Sequence, residues 1–307
     1  MMYRCHLCAS AEMRLFSRPD AKNRQNLSLA LCRTCSLVQQ STLPDEAQLH
    51  EYYSRNYRQD YKLSVAPTPG RVHRAGRVAL ERLSRMLPYK EASHQRLFDV
   101  GAGGGELVYL AHRMGMSARG LEPHEGYSEF ARQNYGVEIE TGGIAQMQPA
   151  CADVVTLFHV LEHLPDPKEA IATLHRSLNP GGLLVMEVPN ILQFDASPSN
   201  IYFGAHLFYF NRHVLLALTS SHFEPLSICD DGNLWMVLRR RDHVVSAKWP
   251  DSLVVAEAID RFDQKGWWAY LTRGRGWHKP WKRLRQYQDE RTVSGLKPKE
   301  ILDRLSI

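Results

Sequence analysis

No stretch of this 307-residue chain is an unbroken apolar run near the ~20 residues that cross a bilayer. The first residues, Met1-Met2-Tyr3-Arg4-Cys5, carry none of the apolar core of a secretory leader, so a cytoplasmic protein is expected. An excess of one charge is also missing. Against 38 Lys and Arg stand 33 Asp and Glu, a net +5, too little to demand a nucleic-acid partner. Cysteine is scarce, and four of the six stand in two pairs, Cys5-x-x-Cys8 and Cys32-x-x-Cys35. In a cytosolic chain disulfides are disfavoured. Two such pairs around a short insert read instead as a zinc ribbon, each pair on a tight turn that offers two sulfurs to one tetrahedral ion. Four cysteine ligands leave no coordination position open, so the Zn2+ is expected to be structural. The insert, Ala9 to Leu31, is long enough for a hairpin. His6 reads as a bystander, and the lone Cys151 and Cys229 as ordinary buried thiols.

The most informative segment is Leu97 to Glu122, LFDVGAGGGELVYLAHRMGMSARGLE. It reads as strand, glycine turn, helix, strand and acid, the first half of a nucleotide-binding βαβ unit. Leu97 to Val100 is a short apolar run that stops at glycine, as a buried parallel strand does. Leu107, Leu110, Ala111 and Met114 then recur at helical spacing. The dinucleotide fingerprint needs glycine or alanine at its sixth position, and here that position is Glu106. A carboxylate there argues against a pyrophosphate and hence against NAD.

The order Asp99-x-Gly101-x-Gly103-x-Gly105 resembles the first motif of class I S-adenosylmethionine (SAM)-dependent methyltransferases. The stretch from Asp153 to Asn190, with its runs DVVTLFHVLEHLPDP and NPGGLLVMEVP, resembles the fourth and fifth strands of the same class. Together with the ribbon, the chain resembles methyltransferases that carry an N-terminal zinc ribbon, among them sugar C-methyltransferases and related proteins of polysaccharide or antibiotic biosynthesis. The resemblance covers about residues 1 to 240. It implies an α/β, Rossmann-like, seven-stranded sheet and SAM as cofactor. It also implies a cradle from Asp99, Gly101, Gly103 and Gly105, with Glu122 accepting both ribose hydroxyls. Backbone around Phe158 and His159 would meet the methionine end of SAM. Gly142-Gly143-Ile144-Ala145 would cap adenine, with Ile144 as its apolar contact, although the acid many relatives carry there is absent. The sugar C-methyltransferases have a further large C-terminal domain that residues 241–307 do not match.

Four segments are expected. Residues 1–40 form the ribbon, 41–70 a connector or lid, 71–240 the methyltransferase domain and 241–307 a basic, tryptophan-rich tail. The connector carries Tyr52, Tyr53, Tyr57 and Tyr61 and ends in a Pro67/Pro69 break. Val72, Ala75, Ala79, Leu83 and Leu87 predict a helix over 71–87, after which strand and helix alternate toward a mainly parallel sheet. Asn179 to Gly182 reads as a turn between a helix and the fifth strand.

Open α/β sheets bind ligands beyond the carboxyl ends of their strands. Two segments emerge there, His159-Val-Leu-Glu-His163 and the loop 190–211 with Tyr202-Phe-Gly-Ala-His206-Leu-Phe-Tyr209-Phe210. His206 is the candidate general base, with Tyr209 as its partner and His163 as a further candidate. Relatives often carry H-x-x-Y-F in this loop. The expected acceptor is a small hydroxylated molecule, a sugar or lipid-linked sugar among the candidates. Two other readings stay open, an RNA methyltransferase that grips RNA with the ribbon and a binding module that keeps the fold without turnover. The tail interleaves Trp267, Trp268, Trp277 and Trp281 with Lys and Arg, which suits a membrane surface, an anionic acceptor, nucleic-acid bases or plain packing on the sheet.

Overall fold

The computed structural model describes residues 3–43 and 67–306. The four connector tyrosines lie outside the described residues. The chain opens with a three-stranded antiparallel meander, β1 (Met13–Pro19), β2 (Asn26–Cys32) and β3 (Val38–Gln40). The two cysteine turns close alike. Ala9 N–H donates to Cys5 O and Ser36 N–H to Cys32 O, each at 2.9 Å, and both donors adopt positive φ, 60° and 64°. The repeat wraps each cysteine pair around one point.

Helix α1 (Pro69–Met86) begins on proline, whose fixed φ suits a first helical turn, and buries Val72, Gly76, Ala79, Leu83 and Met86 along one face. Strand and helix then alternate: β4 (Arg96–Val100), α2 (Glu106–Arg113), β5 (Ser117–Glu122), α3 (Glu125–Tyr135), β6 (Glu138–Thr141), β7 (Ala152–Phe158), α4 (Pro167–Ser177) and β8 (Leu178–Val188). A two-residue strand β9 (Phe208–Tyr209) precedes α5 (Arg212–Thr219) and the closing hairpin β10 (Phe223–Cys229) and β11 (Leu234–Arg240). Helices α6 (Ser252–Asp263), α7 (Trp267–Thr272), α8 (Lys279–Arg291) and α9 (Pro298–Asp303) finish the chain. Among the described residues no helix is long and apolar enough to cross a membrane.

The main sheet has the order β10-β11-β8-β7-β4-β5-β6. Pairs from β8 to β6 are parallel, and β11 near the edge runs antiparallel to both its neighbours, β8 and β10. Numbered from β4, that is 3-2-1-4-5-7-6, with the strand order reversing between β4 and β7. Strands β7 and β8 are nearly continuous apolar runs because both faces are covered, in two core clusters on either side of the sheet. One expectation is corrected here. Asn179 to Gly182 lies inside β8, where the register jumps from Ala152↔Leu178 to Val154↔Leu183. Gly181 at φ 74° takes up the extra residues as a bulge.

Candidate functional site

The turn after β4 forms an open cradle. Gly101, Gly103 and Gly105 have φ of 78°, 55° and 84°, a region that side chains with Cβ enter only under strain. A Cβ on Gly101 would overlap Val160, and one on Gly105 would lie 2.7 Å from Ala131 Cβ, whereas one on Gly103 would project into open space. That space is a cavity of about 380 Å3, within the range of cofactor pockets. Asp99, Gly101, Gly103 and Phe158 line it, and Glu106, Tyr127 and three arginines of α1, Arg71, Arg74 and Arg82, complete it. Gly105 shapes the turn from below. Glu122 sits just behind it, and its two oxygens accept N–H groups from Gly103 at 2.8 Å and His124 at 2.9 Å. Each oxygen keeps acceptor capacity beyond that bond. Ile144 opens the short 3-10 turn Ile144–Gln146 after β6, half-buried against the core.

The cradle is acidic, and its carboxyls are buried. Asp99 accepts a hydrogen bond from the Thr156 hydroxyl at 2.6 Å, yet burial pushes its carboxyl up to about 7. Burial likewise pushes Glu106 up to about 7 and raises Glu122. Buried carboxyls of this kind fit a ligand that brings positive charge, as the sulfonium and ammonium of SAM do. A pH dependence follows. Below about pH 7 Asp99 and Glu106 hold protons, and a cation must displace them. SAM affinity is therefore expected to be flat above pH 7 and to weaken below it, by up to about tenfold per pH unit for each group that must ionise. Calorimetry in buffers of differing ionisation enthalpy checks this through proton release on binding.

Just beyond the end of β7 stands His159, whose φ of 57° is left-handed and costly for a non-glycine residue. Its N–H donates to Glu187 O at 2.8 Å, and its ring lies between Glu162 Oε1 at 3.5 Å and Glu187 Oε1 at 3.4 Å. Burial opposes its charge, but the two carboxylates prevail and raise it to about 9, so it is an imidazolium at neutral pH. Arg82 donates to Glu187 at 2.8 Å and stands 4.3 Å over the Phe158 ring, and Asn233 donates to Glu187 at 2.6 Å. Arg82, Glu187 and Asn233 carried no signal in the sequence, because three separate elements bring them together.

Glu162 is 1% exposed, and neither of its oxygens receives a hydrogen bond. Burial works against its charge, yet His159, His163 and His206 hold the carboxyl below its usual range. The ligand-capable atoms of Glu162, His163 and His206 lie within 4.8 Å of one another. His163 Nδ1 pairs with Ala205 O at 2.9 Å, and its ring meets that of His206 edge to face at 4.8 Å. Burial, then His163, pushes His206 down to about 3, so it is neutral. Tyr209 stands 5.8 Å from the His206 ring, and its hydroxyl donates to Phe203 O at 3.0 Å and accepts Phe203 N–H at 3.1 Å. That hydroxyl is engaged in shaping the loop.

The four ribbon cysteines converge with Cys5 and Cys35 sulfurs 3.6 Å apart and Cys8 and Cys32 sulfurs 3.5 Å apart, all within 4.8 Å and none in a disulfide. Sulfurs bound at ~2.3 Å to one tetrahedral zinc would sit at such separations. The N-terminal meander also holds the loop 190–211, through contacts that join residues far apart in sequence. Strand β9 pairs with β3 through Val38↔Tyr209 and Gln39↔Phe208. Gln40 Nε2 donates to Gly204 O at 2.8 Å and His206 O at 3.0 Å, and Asp20 accepts Gly204 N–H at 2.5 Å. Asn211 donates to Ser36 Oγ at 2.9 Å.

A 3-2-1-4-5-7-6 sheet with a glycine cradle after its first strand and an acid at the tip of its second is the class I SAM-dependent methyltransferase fold. Residues 71–225 match the family described as methyltransferase domain, and the chain belongs to that family. It is similar to ubiquinone biosynthesis O-methyltransferases from Pseudomonas aeruginosa, 33% identical over 104 residues that make up 31% of this chain and 45% of that one. A protein of the same name from Idiomarina loihiensis is 33% identical over 106 residues, 31% of this chain and 43% of that one. The chain thus spans under half the length of these relatives. Among solved structures, an S-adenosylmethionine-dependent methyltransferase from Mesorhizobium loti is 16% identical with a TM-score of 0.43, covering 51% of this chain and 96% of that one.

Proposed function

We propose that the protein transfers a methyl group from SAM to a hydroxyl of a small organic acceptor, a sugar or other hydroxylated metabolite, free or lipid-linked. The supporting observation is the acidic cradle, where Asp99 and Glu106 face the cavity and Glu122 closes the glycine turn behind it. The name of the similar O-methyltransferases favours oxygen as the acceptor atom. SAM supplies an electrophilic methyl on a sulfonium. The chain's own residues do the rest. Asp99 and Glu106 offer negative charge to the methionine end, Glu122 accepts the ribose hydroxyls, and Ile144 packs beside adenine. Phe158, under Arg82, floors the cavity next to the acceptor side.

His206, neutral through burial, takes the acceptor's proton as base, and Glu162 beside it stabilises the imidazolium that results. His163, fixed through Ala205 O, and Tyr209, fixed through Phe203, hold the ring in place. The cysteine cluster holds a structural Zn2+, and its work is to brace this loop rather than to touch the reaction. Our reading places the protein in the cytoplasm.

Calorimetric titration with SAM, beside Glu122→Ala, tests the reading. The wild type is expected to bind, and the variant at least about tenfold more weakly, since a hydrogen bond to a charged group contributes ~1.5–3 kcal/mol. Equal affinity in the variant would remove the ribose assignment. No binding to folded protein would leave a scaffold without cofactor and sink the enzymatic reading.

A further inference from the structure

Residues 267–288 read WWAYLTRGRGWHKPWKRLRQYQ, with six Lys and Arg, no Asp or Glu, and four of the chain's six tryptophans. Packing on the sheet would bury those rings, and the structure leaves them out. Trp268 is 80% exposed, Trp281 68%, Trp277 60% and Trp267 57%, with Leu284 and Tyr287 at 50% and 56%. Trp277, Trp281 and Leu284 recur at i, i+4 and i+7, so they share one side of the segment around α8. Isolated exposed apolar side chains are ordinary, but a run of them within one short stretch marks an interaction surface.

The segment is fastened by its other side. Glu290 accepts from Arg74 at 2.6 Å and Asp289 from Arg77 at 3.0 Å, which ties α8 to α1, the helix that walls the SAM cavity. Gly274 lies so close on the Phe194 carbonyl that a Cβ would overlap it, which ties the end of α7 to the loop after β8. The rings therefore stand on a platform anchored to α1 and to the loop after β8.

The same platform gathers three cations around one aromatic ring. Arg261, Lys265 and Arg273 stand 5.1 to 5.8 Å from the Phe194 ring centroid. Their polar partners are neutral: Leu192 O for Arg261, Gln193 O for Lys265 and Gln264 Oε1 for Arg273. None of them has an ion-pair partner among the described residues. Arg261, Arg273 and Arg275 line a cavity of about 570 Å3, with Asp195 and Asp231 also in its wall.

We propose that residues 267–288 form an interfacial element that seats the protein on an anionic lipid surface. Tryptophan and tyrosine rings lie at the headgroup level, as aromatic belts do, and the arginines and lysines meet lipid phosphates. A nucleic acid would match the charge, but it favours aromatic rings set in a groove for stacking, and here they stand outward from a helix. Such seating turns the acceptor edge of the sheet toward lipid. The proposal does not depend on methyl transfer or on any role of His206.

The test is co-sedimentation of the full chain with phosphatidylcholine vesicles, with and without phosphatidylglycerol. Binding is expected only where phosphatidylglycerol is present, and it should weaken as salt rises. The double substitution Trp277→Ser with Trp281→Ser is expected to weaken vesicle binding by about tenfold or more. Both side chains are exposed, so the circular dichroism melting curve should stay unchanged. Arg273→Gln with Arg275→Gln should lower the salt dependence. A wild type that ignores phosphatidylglycerol vesicles, or a Trp double variant that binds them as the wild type does, overturns the proposal. So does a Trp double variant whose only change is a smaller sedimentation mass, which would assign the face to a second copy of the chain. A wild type that prefers an RNA oligonucleotide to the vesicles overturns it as well.

Discussion

Cys32→Ser is expected to cut methyl transfer by about 100-fold or more while changing SAM affinity by less than about threefold. The N-terminal meander shares a sheet with the loop 190–211, which carries His206. Binding of structural zinc is worth ~10–16 kcal/mol in zinc-finger peptides, so an incomplete ligand set loosens what the metal holds together. A zinc on the four cysteines would fasten β3, and β3 carries β9. Gln40 holds the carbonyls of Gly204 and His206, and Asp20 holds the Gly204 amide. Each of these contacts comes from the ribbon, and none reaches the glycine cradle. A displacement of about 1 Å in a reacting group is enough for a loss of this size. Hydrogen exchange gives the readout apart from activity: amides of 202–211 should exchange faster in the variant, those of β4 and β5 should not. Slow exchange in 202–211 together with full turnover would show that the ribbon does not brace the loop. Removing zinc from the wild type with a chelator should reproduce the pattern.

This division also explains what could be read from the sequence. The cofactor half is local. A buried strand, a glycine turn, an amphipathic helix and a second strand ending in Glu122 follow one another within 26 residues, so periodicity and turn chemistry place them. The cysteine spacing is local in the same way, and both turns close as the repeat requires. What could not be read is long-range. The β3–β9 pairing joins residues 170 apart in sequence, and a two-residue strand has no periodicity to detect. The Arg82–Glu187–His159 network draws on α1, β8 and the end of β7, and its charges take meaning only when they meet. The bulge at Gly181 looked like a turn because the same glycines serve both. In the tail, the mixture of tryptophan and cation was plain, but which way the rings face is decided by where α7 and α8 are anchored.

His206→Ala is expected to lower kcat by about 10²- to 10⁴-fold, the usual worth of a positioned base, with SAM affinity unchanged. The sign of the pH dependence is set by its surroundings. Burial and His163 depress His206 to about 3, so it stays neutral, and able to accept a proton, throughout the neutral and mildly acid range. At saturating SAM, which removes the effect of Asp99 and Glu106, kcat should show no acid limb near the usual histidine value of ~6.5. The limb belongs lower, where His206 itself takes a proton in the resting site. So low a basicity would be a handicap if the ring acted alone. It does not, because the buried Glu162 carboxylate lies beside it, held ionised by His159, His163 and His206, and its negative charge favours the imidazolium at the moment of transfer. Glu162→Gln should therefore lower kcat while leaving KM for SAM alone. Tyr209→Phe, which removes only the ties to Phe203, should cost less than either. If His206→Ala turns over as fast as the wild type, the base must be sought in the charged network at His159 and Glu187, and an acid limb near 6.5 at saturating SAM would point away from His206 as well.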